Sequence, residues 1–117
     1  MNTQTIIDHT TLAGLTEMAD AEFVGELIDA FCEEAPDQIQ ALQTAQAEGD
    51  VDTFRRTAHT LKSTSATLGL PAFGQQAKEL EDIGRTGDLS GVGDKVQVLA
   101  DSYPSVEQAL RAWQHDQ

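Results

Sequence analysis

The sequence predicts an all-α protein, an up-down-up-down four-helix bundle with a short extra helix at its N-terminus. Apolar residues recur at spacings of three and four through most of the chain, the period of a helix with one buried face. No run of β-branched residues alternates with the period of two that a half-buried strand needs. Glycine, proline and aspartate interrupt the apolar runs at points suited to helix ends and short connections.

The first, short helix is expected around Asp8 to Glu17. Asp20 is a candidate N-cap for a long second helix with Phe23, Val24, Leu27, Ile28, Phe31, Ala35, Ile39 and Leu42 on one stripe. Pro36 lies inside it. The stripe stays in phase across the proline, which predicts a kink in one helix rather than a break into two. Gly49 and Asp50 supply a stop and a new N-cap. The next helix carries Val51, Phe54, Ala58, Leu61, Ser65 and Leu68 inward. Gly69 ends it, and Pro71 suits the first turn of the following helix, where a missing N–H costs nothing. That helix runs to about Arg85 with Phe73, Ala77, Leu80 and Ile83 facing in, and the stretch GRTGDLSGVGD reads as a loop. The last helix carries Leu89, Val92, Val96, Leu99, Tyr103, Val106, Leu110 and Trp113 despite Pro104. Helices joined this briefly pack each beside its sequence neighbour.

Length and charge bound the function. The 117 residues fit one domain, 1–117, with a core that needs no disulfide or metal. Cys32 is the only cysteine, so an intrachain disulfide is impossible and a reducing compartment is expected. The first basic residue is Arg55, so the N-terminus lacks the cationic segment of a secretory or transit peptide. No apolar run approaches the roughly 18 residues that span a bilayer. A cytoplasmic, monomeric protein is the expectation. A net charge of -13 disfavours nucleic acid and anionic membranes as partners. Five of the seven basic residues, Arg55, Arg56, Lys62, Lys78 and Arg85, fall within one stretch of the chain and would form a cationic patch on an acidic body.

Within that stretch stands His59. At about 100° per residue it lies off the buried stripe and shares a face with Arg55, Lys62, Ser63 and Ala66. An exposed imidazole at neutral pH is a nucleophile, and Lys62 one turn along can neutralise an anion formed on it. Ser63 and Ala66 are small enough to let a partner's backbone approach. His9 and His115 read as surface residues, Cys32 as a packed apolar group, and CEEAPD as a solvated helix face. The three histidines are too dispersed for a metal site, and no glycine-rich loop suggests ATP binding.

The string AHTLKSTSATLGL resembles the motif of the histidine phosphotransfer (HPt) domain family, in which a phosphorylatable histidine stands two residues before Leu-Lys. The resemblance extends through FCEEAPDQIQALQTAQAEGDVDTFRRTAHTLK upstream and KELEDIGRTGDL downstream. It implies a four-helix bundle with His59 as phosphoacceptor, Lys62 as the neighbouring cation and Gly69 as the small residue closing the motif. It also implies that Glu81, where the family often has Gln and sometimes Glu, accepts the Nδ1 proton of His59. Ser63 stands where the family most often has Gly. The partners implied are receiver domains of response regulators and a hybrid histidine kinase. No cofactor is expected on this chain, the Mg²⁺ belonging to the receiver. The chain would be a phosphocarrier, not an ATP-using enzyme, docking through Arg55, Arg56, Ser63, Ala66, Lys78 and Arg85. The alternative is a helical interaction module that keeps the bundle and carries no phosphate.

Overall fold

Aspartates open the first three helices of the chain, each by accepting a backbone N–H with its side chain. In the computed structural model, which describes residues 6–117, Asp8 precedes α1 (His9–Met18), Asp20 precedes α2 (Ala21–Glu48) and Asp50 precedes α3 (Val51–Leu68). Pro71 opens α4 (Pro71–Thr86), and α5 (Gly93–His115) completes the series. Residues 1–5 of the single-domain reading lie outside the described residues. No strand occurs among the described residues.

The helices form a ring. The second packs on α3 and α5, and α4 packs on the same two. The first helix rests on α2 and α3, and the α3–α4 contact is the most extensive. The core includes Leu12, Ile28, Leu42, Phe54, Leu61, Leu80, Leu99 and Leu110. Phe31, Phe73 and Tyr103 meet with ring centroids 6.0 to 6.3 Å apart, an edge and tilted arrangement favoured by ring quadrupoles.

Gly69 ties the short helix to this ring. Its φ of +72° suits a helix C-cap that L side chains rarely adopt. Its carbonyl accepts from Asp8 N at 2.7 Å, and a Cβ there would meet Thr11 Cβ at 2.7 Å.

Pro36 sits on the exposed side of a continuous α2. Lacking an N–H, it cannot bond the carbonyl of Cys32 four residues earlier. The Tyr103 hydroxyl donates to that carbonyl at 3.2 Å and is buried there, so α5 supplies the hydrogen bond that the proline removed.

Three details differ from the sequence expectation. Phe23 is 47% exposed, because the buried stripe of α2 runs through Val24, Ile28 and Phe31, and Phe23 lies one residue back on its edge. Leu89 and Val92 are buried but precede α5, packing from the connection whose Gly87 and Gly91 take positive φ. The loop begins after Thr86, so Gly84 and Arg85 are helical.

Replacing Tyr103 by Phe should cost about 1–2 kcal/mol, because the Cys32 carbonyl is left buried without a donor. In a Pro36→Ala background the same change should cost less, since the backbone N–H returns. Urea unfolding of the four variants measures this, and equal costs in both backgrounds would refute the pairing.

Candidate functional site

Two facing helices build the site. Leu61 on α3 and Leu80 on α4 are buried in the core, which fixes the rotation of both helices. His59 and Lys62 then emerge toward α4, and Glu81 and Arg85 toward α3. The backbones are close here. A Cβ at Gly84 would lie 3.0 Å from Arg55 Cβ and 3.1 Å from its Cα, and one at Gly74 would lie 3.1 Å from Ser65 Cβ. The glycines bracket Glu81 on α4 and allow its short side chain to reach across.

Glu81 is 1% exposed and has a cationic or titratable partner on each oxygen. Its Oε2 lies 2.7 Å from His59 Nδ1 and accepts from Arg85 Nη2 at 3.1 Å. Its Oε1 lies 2.7 Å from Lys62 Nζ, an ion pair whose angles depart from those of a hydrogen bond. Burial alone would raise the carboxyl pKa. The short contacts from Lys62 and His59, with the charges of Lys62 and Arg85, outweigh it and hold the group at about 2. Glu81 is therefore an ionised acceptor at neutral pH. A carboxylate cannot donate, so the His59 contact requires the proton on Nδ1, and in the neutral ring Nε2 is then bare. The His59 side chain is 54% exposed.

The structure brings His59, Lys62, Glu81 and Arg85 into contact. The other predicted residues surround them at varying distance. Ser63 lines a groove of about 280 Å³ between α2 and α3, with Leu27 and Ala30. Ala66 lines a second, of about 300 Å³, with Lys62, Gly69 and Lys78. Arg55 and Arg56 share Asp52 at 3.2 and 2.9 Å, and Lys78 pairs with Asp82 at 3.1 Å. The expected cationic patch is thus interleaved with Asp52, Glu81 and Asp82, five cations against three carboxylates. Asp52 was detectable in the sequence as an acid three and four residues before two arginines. Gly84, read as the start of the loop, stands four residues after Leu80 on the apolar period of α4, which is the signal that it is helical. Among the described residues no group of three or more His, Cys, Asp or Glu could hold a metal ion. Cys32 is buried, which pushes its thiol pKa up.

A family model described as the Hpt domain matches residues 26–112, which include every contact of this site. The chain belongs to the Hpt domain family. It therefore has a histidine phosphotransfer role in two-component phosphorelays. As an Hpt domain it is 26% identical over 109 residues to the phosphorelay protein LuxU of Vibrio vulnificus, covering 93% of this chain and 95% of that one. In fold it is similar to the histidine-containing phosphotransfer protein B (HptB) of Pseudomonas aeruginosa PAO1, with a TM-score of 0.88 at 24% identity, covering 97% and 98% of the two chains. The HPT domain of a sensor hybrid histidine kinase from Shewanella gives a TM-score of 0.73 at 22% identity, covering 92% and 89%. No helix among the described residues of this Hpt domain is long and apolar enough to cross a membrane.

Because the Glu81 pKa is depressed to about 2 in the fold from an ordinary 4.5, its stabilising effect is complete above about pH 4.5. It is lost as pH falls toward 2. Relative to Glu81→Gln, the wild type should lose at most about 3 kcal/mol across that window. Denaturation midpoints measured from pH 5 to 2 test this, and parallel curves for the two proteins would contradict it.

Proposed function

We propose that His59 Nε2 takes a phosphoryl group from the aspartyl phosphate of a receiver domain and passes it to the aspartate of a second receiver. The observation that carries this reading is the Nδ1 contact to buried Glu81 at 2.7 Å, which leaves the nucleophilic nitrogen as the outward one. In the transfer the Nε2 lone pair forms a bond to phosphorus while the bond to the aspartyl oxygen breaks, releasing the carboxylate in line. The Nδ1 proton stays in place, and Glu81 stabilises the positive charge that the ring acquires. Phosphoryl transfer requires mainly positioning and charge compensation. Lys62, one turn along α3 from His59, compensates charge on the incoming oxygens, and Arg55 and Arg56 extend the positive surface. The Mg²⁺ belongs to the receiver's acidic pocket.

The same reading makes residues 1–117 one cytoplasmic, monomeric phosphocarrier without a kinase or ATP-binding domain. Its α2 to α5 run up-down-up-down, with α1 as the extra helix. Receivers and a hybrid kinase are the partners, met through Arg55, Arg56, Ser63, Ala66, Lys78 and Arg85, with neither nucleic acid nor membrane involved. A phosphate-free interaction module would have no use for a buried carboxylate aimed at a surface histidine, since that charge is costly to bury.

Incubation with a phosphorylated receiver should label the wild type with an acid-labile, base-stable phosphohistidine. Replacing His59 by Gln should abolish the label with helical content unchanged, because the side chain is exposed. Lys62→Ala should slow transfer by about tenfold or more, the loss of one charge contact to the phosphoryl. Histidine label persisting in His59→Gln would overturn the assignment.

A further inference from the structure

Glu81 poses a problem for the nucleophile it orients. A carboxylate 2.7 Å from an imidazole nitrogen favours the imidazolium, and the imidazolium carries a proton on Nε2 and cannot attack phosphorus. A neutral acceptor on Nδ1 would not create this difficulty. The structure sets two permanent cations on the same carboxylate, Lys62 on Oε1 and Arg85 on Oε2.

We propose that Lys62 and Arg85 are a charge clamp on Glu81 that keeps His59 neutral, so that Arg85 is a positioning residue of phosphotransfer acting through the carboxylate. This rests on the reading of His59 as phosphoacceptor. One anion and two cations leave the immediate surroundings of the ring at +1, which opposes a further proton. Removing either cation takes that sum to zero, and removing both leaves the ring facing an uncompensated carboxylate.

The other charged groups on the elements around His59 do not replace the clamp. On its own helix, Arg55 and Arg56 are bound to Asp52. On α4, Lys78 is bound to Asp82. From α2, Glu34 and Asp37 line grooves against α3, and Asp8 at the start of α1 lines the groove beside Lys62. None of these grooves is lined by His59, and these three groups are acids that supply no cation to Glu81. Only Lys62 and Arg85 touch the carboxylate that touches the ring.

Lys62 then has a double task. When the phosphoryl group arrives, an Nζ drawn toward its oxygens leaves Glu81, and the carboxylate's charge is uncovered as the ring becomes positive.

The test follows the His59 ring by heteronuclear NMR through a pH titration of the full chain. The wild type is compared with Arg85→Gln, Lys62→Gln, the double variant and Arg85→Lys. Arg85 is more than half exposed, so its replacement leaves the core intact. Each single Gln change should raise the His59 titration midpoint by about 0.5 to 1 pH unit, and the double change by more than either. Arg85→Lys should return it toward the wild-type value. Phosphoryl acceptance by Arg85→Gln should fall about two- to threefold near neutral pH and recover at pH 8.5, a pattern that a loss of packing would not give. Midpoints that stay put or fall in the single variants would overturn the clamp. Were the midpoints to move while the wild type took no label, the phosphoacceptor reading would fail and the clamp would stand. Label on the wild type with unmoved midpoints would have the reverse meaning.

Discussion

A carboxylate withdrawn from water must find partners or give up its charge, and Glu81 has found three. Nearly every feature of the site follows from that requirement. His59 is oriented because its Nδ1–H is one of the partners. Lys62 and Arg85 are held at the imidazole because they are the others. The α3–α4 interface, the most extensive in the molecule, sets the separation at which these contacts are possible. Gly84 and Gly74 admit that separation by presenting no Cβ to Arg55 and Ser65. Packing and chemistry are thus one problem: the helix pair that closes the core also decides which imidazole nitrogen faces the solvent.

The fold was legible in the sequence wherever the apolar period was long and the caps were strong. Asp20, Asp50, Gly49 and Gly69 mark helix ends through side-chain oxygens and left-handed backbone, both local properties of the chain. Pro36 was readable as an interruption that the phase of Val24 to Leu42 survives. What repairs it was not readable, because the Tyr103 hydroxyl comes from 71 residues beyond the Cys32 carbonyl it meets. Phe23 was misplaced since periodicity fixes a stripe but not its edges. Leu89 and Val92 continue the period of α5 without joining its helix, because burial alone does not distinguish a helical residue from a packed connection.

The site divides in the same way. His59, with Lys62 one turn on, was visible as an exposed nucleophile beside a cation. The role of Glu81 came through the family resemblance, not through spacing, for a contact across 22 residues leaves no periodic trace. The charge count left out one feature. Five clustered cations suggested a cationic patch on an acidic body, and Asp52 and Asp82 offset part of that patch from the same helices and Glu81 from beneath. Paired exposed charges of this kind contribute little to stability. Their effect is on the field a partner meets, which is less positive than a tally of lysines and arginines suggests.

The central claim is that the buried carboxylate dictates the tautomer of an exposed histidine. Nitrogen-15 shifts of the His59 ring, recorded in the wild-type chain above its titration midpoint, report that tautomer directly. A protonated Nδ1 and a bare Nε2 are expected as the dominant form. A dominant Nε2–H form, or the mixture seen for a free imidazole, would contradict it.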